Sequence, residues 1–70
     1  MRASSTDPLS QFTVDVVFFS GTEQFATETY QVSATTWYMA EQQALHMSVG
    51  SAYDNSRIPD LSRTANVRAA

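Results

Sequence analysis

The chain has no cysteine, no lysine, one histidine, two glycines and two prolines among its 70 residues. Without cysteine, neither disulfides nor thiolate metal sites can reinforce a small core, and the redox compartment leaves no mark on the sequence. With His46 alone, a histidine metal site has no second imidazole, and no EF-hand spacing appears around Asp54 or Asp60. Gly21 and Gly50 are too isolated to form a phosphate-binding loop. No apolar run is long enough to span a bilayer. Met1-Arg2 leads into Ala-Ser-Ser-Thr-Asp-Pro and not into an apolar signal segment, so the expected location is cytoplasmic, with a virion as the alternative.

What remains is 43% hydrophobic and 16% charged, which suits a globular chain better than a disordered one. A chain this short hides only about 60% of the surface it exposes when unfolded, so its stability depends on tight packing or on association. The net charge of -3 is unevenly spread. Residues 1 to 55 hold Arg2 against six carboxylates, whereas Arg57, Arg63 and Arg68 outnumber Asp60 in the last fifteen residues. Those arginines make phosphates or an acidic partner conceivable ligands, although a nucleic-acid binder presents a denser basic face.

Residues 1–10 are rich in Ser, Thr, Asp and Pro and read as an extended arm, leaving 11–70 as one small domain. The run Phe12-Thr13-Val14-Asp15-Val16-Val17-Phe18-Phe19 alternates and then turns apolar on both faces, which predicts a strand over about 11 to 19. A Gly-containing loop at 20–24 leads to a second strand over about 25 to 34. Pairing Phe19 with Phe25 gathers Phe12, Val14, Val16 and Phe18 with Val32, Tyr30, Glu28 and Ala26 on one face. A slip of one residue would set Asp15 against Glu28 and strand Tyr30 and Val32 on the wrong face.

The opposite face then carries Thr13, Asp15, Val17 and Phe19 beside Gln31, Thr29, Thr27 and Phe25. It reads either as a solvated, threonine-rich sheet face or as a docking surface anchored by Val17, Phe19 and Phe25. Thr35 or Thr36 caps a helix predicted over 37–49, ended by Gly50. Trp37, Ala40, Ala44 and Met47 form the stripe expected on the sheet, and Tyr38, Leu45 and Val49 form a second one. Either the loop with Tyr53, Ile58, Pro59 and Leu61 folds over that second stripe, or another chain does. Residues 50–62 carry turn chemistry, and alternation over 64–69 places Ala65, Val67 and Ala69 on one side of a third strand. Returning antiparallel beside strand 1, it gives the order 2-1-3: an α+β fold of type β-β-α-β, a three-stranded antiparallel sheet with one helix on one face.

The stretch Tyr30-Gln31-Val32-Ser33-Ala34, followed by Ala40-Glu41 and Ala44-Leu45, resembles small phage-encoded β-β-α-β proteins over residues 12 to 49. The resemblance implies an accessory or virion-associated role and brings no catalytic residues with it. His46 falls on the polar side of the helix, where a solvated or capping role outweighs acid–base catalysis. The expected function is therefore non-enzymatic, needing no cofactor: a protein-interaction module or small subunit of a larger assembly, oligomeric or bound to a protein partner. Its contact residues are expected to be Val17, Phe19, Phe25, Thr27, Thr29 and Arg68, with the terminal arms clasping a neighbour. The alternative is a small nucleic-acid-binding protein that places Arg57, Arg63 and Arg68 on phosphates.

Overall fold

The structure is a computed structural model, and it describes residues 9–68. Strand β1 (Ser10–Ser20) is central, flanked by β2 (Glu23–Ala34) on one side and β3 (Leu61–Val67) on the other, all antiparallel in the order β2-β1-β3. Helix α1 (Trp37–Met47) joins β2 to β3 and runs on into a 3-10 turn at Ser48–Gly50. The fold is thus the β-β-α-β arrangement of the α+β class. Of the expected N-terminal arm, residues 1–8 lie outside the described residues, as does Ala69, and Ser10 already pairs with Ala34 in the sheet.

Period-two alternation sets the core. Val14, Val16 and Phe18 of β1 are fully buried and pack with Val32 and Ala34 of β2 and Ala40 and Ala44 of α1. Leu61, Ala65 and Val67 of β3 pack against the same cluster from the other side. From Phe12 to Phe18 the register pairs Phe12 with Val32, Val14 with Tyr30, Val16 with Glu28 and Phe18 with Ala26, as the burial argument requires.

The register shifts after Phe18, and the expected pairing of Phe19 with Phe25 is replaced. Phe19 sits opposite Gln24, Ser20 opposite Glu23, and Phe25 is the extra residue of a bulge. The hairpin closes in a two-residue turn, Gly21-Thr22, where Gly21 takes a positive φ of 61° as the first central residue of a II′-type turn does. The longer loop expected at 20–24 therefore does not form, because the tight turn matches the twist of its strands and leaves one residue over. The turn is anchored to the segment before β3: Gly21 N–H donates to the Asp60 carbonyl at 3.0 Å, and Ser20 Oγ donates to the Pro59 carbonyl at 2.7 Å.

Thr36 caps the helix, its hydroxyl accepting from the Met39 N–H at 3.2 Å. The helix face against the sheet is Ala40, Ala44 and Ser48, at intervals of four, with Leu45 beside them. Trp37 and Met47, expected in that seam, are exposed instead. Small side chains let the helix approach the sheet closely, and the two bulky ones are left at its ends. The loop expected over Tyr38 and Val49 does not cover them either, and both are exposed. The reason is topological: β3 starts with Leu61 opposite Ser20, so residues 51–60 must travel to the hairpin end of the sheet. Tyr53 consequently lands on Phe18 and Phe25.

Candidate interaction surfaces

Two apolar surfaces and one polar network are exposed for contact. On the open sheet face, Val17 is opposite Thr27 and Thr64, and Phe19 is opposite Gln24 and Ser62. Both are half-buried within a polar surround. Phe25 does not join them. Its ring lies 6.3 Å from Phe18 and 6.2 Å from Tyr53, on the helix side of the sheet. The bulge frees Phe25 from strict alternation, and two aromatic neighbours reward the turn inward. The expected three-residue anchor on the open face is therefore a pair.

Beside that pair runs a polar network. Asp15 accepts from Arg68 Nε at 2.8 Å and Arg68 Nη2 at 3.0 Å, and from the Thr29 hydroxyl at 2.7 Å. It ties β1 to β2 and to the residue that follows β3, across the open face. Thr13 donates to Gln31 and Gln24 donates to Thr27, so every threonine expected as a polar contact has a partner within the sheet.

The helix side has its own stitch, built on Arg63. Alternation brings Arg63 opposite Phe18, with its guanidinium carbon 5.2 Å from the ring centroid. Nη1 donates to the Ser48 carbonyl at 3.2 Å and to Ser48 Oγ at 2.9 Å, and Nη2 reaches Asp54 Oδ1 at 2.7 Å. A cation thus meets carbonyl oxygen at the C-terminal end of the helix, where the dipole favours it. Ser48 passes its own proton to the Leu45 carbonyl at 2.6 Å, so this buried hydroxyl is satisfied both ways. Glu28, the one acidic side chain expected on the apolar face, is satisfied in a similar fashion. It accepts from the Tyr30 hydroxyl at 2.7 Å.

These pairings bear on the phosphate alternative. Arg63 is turned inward and Arg68 is forked on Asp15, which leaves Arg57 as the C-terminal arginine without a side-chain ion pair among the described residues. His46 is exposed in the last turn of α1. No helix among the described residues is long and apolar enough to cross a membrane.

The largest exposed apolar side chains are on the helix. Trp37 is 60% exposed and Tyr38 58%, their rings in edge contact at 6.1 Å, with Met39 following. Met47 and Val49 are exposed at the other end. Position 37 shares a helical stripe with Ala40, Ala44 and Ser48, so periodicity alone would bury it. A wheel marks a direction and does not show where the sheet beneath it stops.

Two carboxylates give the fold an acid response. The Arg68 fork and then the Thr29 hydroxyl hold Asp15 below its ordinary value, and the Ser51 and Tyr30 hydroxyls do the same for Glu28. A carboxylate depressed on folding contributes stability above its unfolded pKa and loses it as pH falls through the folded value. Stability should be flat from neutral pH down to about 5 and fall below about 4. Chemical denaturation across that range checks it: Asp15→Asn should flatten part of the acid slope, and an unchanged slope would remove Asp15 from the account.

No protein-family profile matches the chain, and neither the curated proteins nor the solved structures provide a significant match to it.

Proposed function

We propose that the chain is a non-enzymatic interaction module, a small subunit that works by burying its outer apolar surfaces against a protein partner. The observation that carries this reading is the distribution of its large side chains. Phe18 is the one aromatic fully buried among the described residues, whereas Trp37, Tyr38, Met39, Met47 and Val49 are all exposed on a single helix and its extension. Trp and Tyr are the residues that most often dominate binding energy at interfaces, and here they stand side by side. Val17 and Phe19 offer a second, smaller anchor on the open sheet face. The resemblance to small phage-encoded proteins adds an accessory or virion-associated setting to this reading.

The test is capture of partners from the native source by the full chain and by two variants. Trp37→Ala/Tyr38→Ala should weaken capture at least tenfold with the thermal midpoint nearly unchanged, because truncating an exposed hot spot costs binding and little stability. Phe19→Asp should weaken capture less. Capture that survives both variants in folded protein would refute the reading.

A further inference from the structure

We propose that β2 is a self-pairing edge, and that two copies of this chain join through Ala26–Ala34 into a continuous six-stranded antiparallel sheet. The inference goes beyond the helix reading and does not depend on it.

The direction of the backbone groups comes from one hydrogen bond. Arg68 N–H donates to the Thr13 carbonyl at 2.8 Å, so Thr13 turns its main-chain groups toward β3. Main-chain direction alternates along a strand, so Phe12, Val14, Val16 and Phe18 turn theirs toward β2. Their partners Val32, Tyr30, Glu28 and Ala26 are occupied in return. The N–H and C=O groups of Thr27, Thr29, Gln31 and Ser33 therefore point outward, along an edge that no other strand covers among the described residues.

Natural edges are protected by lysine, proline, bulges or brevity. From Ala26 to Ala34 this edge has none of them, its one charge being Glu28, which turns inward and is held by the Tyr30 hydroxyl; its bulge lies just before, at Phe25. The four outward residues also lie two on each side of Tyr30. With a two-fold axis through Tyr30, Thr27 faces Ser33 of the copy and Thr29 faces Gln31, and the reciprocal pairs complete all four outward residues. Across the same axis Glu28 faces Val32 and Ala26 faces Ala34, with Tyr30 opposite itself. Centring on Thr29 would set Ser33 against the bulge, and centring on Glu28 would oppose two carboxylates, which is destabilising.

Symmetry also favours a second copy over a head-to-tail chain of sheets. Strands β2 and β3 run in the same direction, each antiparallel to β1, so joining β2 to β3 of a translated neighbour would be a parallel pairing. A two-fold makes β2 antiparallel to itself and closes the assembly as a dimer. Both helices then lie on the same side of the joined sheet.

Sedimentation equilibrium of the full chain at micromolar concentration should give twice the monomer mass of 7.7 kDa. Gln31→Pro removes an outward N–H and spares the ladder to β1, so it should give a folded monomer. Thr27→Lys/Ser33→Lys sets like charges opposite each other at both ends of the pairing, should also give monomers, and decides the matter if the proline variant fails to fold. Wild-type protein that sediments as a monomer would overturn the proposal. So would a dimer that persists in the folded lysine variant, or one dispersed only by Trp37→Ala/Tyr38→Ala or Phe19→Asp.

Discussion

Phe18→Ala should lower the thermal midpoint by more than about 12 °C, the largest effect expected of any single truncation in this chain. Phe18 is fully buried: Ala26 and Arg63 flank it in the sheet, and the rings of Phe25 and Tyr53 pack on it at 6.3 and 5.6 Å. Removing a buried phenylalanine costs about 3–5 kcal/mol, and a domain of this size holds only about 4–10 kcal/mol in total. The loss also unseats the aromatic contacts that hold the bulged Phe25 and the loop at Tyr53. Phe12→Ala is the useful comparison. Phe12 lies on the same face of the same strand but is half-buried, so the shift should be less than half as large. Equal shifts would mean that the packing around Phe18 is not the centre of the core. Circular dichroism melts of the two variants give the answer.

Arg63→Ala should cost about 2–3 kcal/mol, with Asp54→Ala costing about 1 or less. Three interactions meet at Arg63, and their magnitudes rank them. The Asp54 pair is partly solvated, with the two side chains 20% and 27% exposed, so it is worth little by itself. The bonds to Ser48 Oγ and to the Ser48 carbonyl are charge-assisted and reach a fully buried residue, and the guanidinium lies over Phe18. Truncation leaves that buried serine short of its donors. Arg63→Lys should recover about half of the loss, because an ammonium cannot span Ser48 and Asp54 as the planar fork does. Urea denaturation of the three variants separates the contributions. If Asp54→Ala were as damaging as Arg63→Ala, the ion pair and not the serine would be the element that matters.

The parts of this fold legible in the sequence are those fixed by period and parity. Alternation from Phe12 to Phe18 dictated the register with Tyr30 and Val32, the apolar centre of β1 implied the order β2-β1-β3, and a threonine before Trp37 marked the helix start. The bulge escaped because parity carries a pairing forward unchanged, whereas one surplus residue shifts it locally at small cost. A signal was there: Ser20-Gly21-Thr22-Glu23 fits a two-residue turn with glycine first, and closing the hairpin there forces one residue out of register. Missing it put Phe25 on the wrong side of the sheet.

Arg63 was legible in the same way. Extending the alternation of Val67 and Ala65 back by one step places Arg63 on the core side, opposite Phe18. An arginine there must find acceptors, and the helix end at Ser48 supplies them. What no periodicity could give is the exposure of Trp37 and Tyr38, since it depends on how the ends of two elements meet in space.

The most direct test of whether a second chain completes this protein is hydrogen exchange along β2, measured at low and high concentration. In the dilute monomer, amides of Glu28, Tyr30 and Val32 are bonded to β1 and should exchange slowly, while those of Thr27, Thr29, Gln31 and Ser33 exchange fast. Raising the concentration should slow the second set and erase the alternation. An alternating pattern that persists unchanged at the highest soluble concentration would contradict the account.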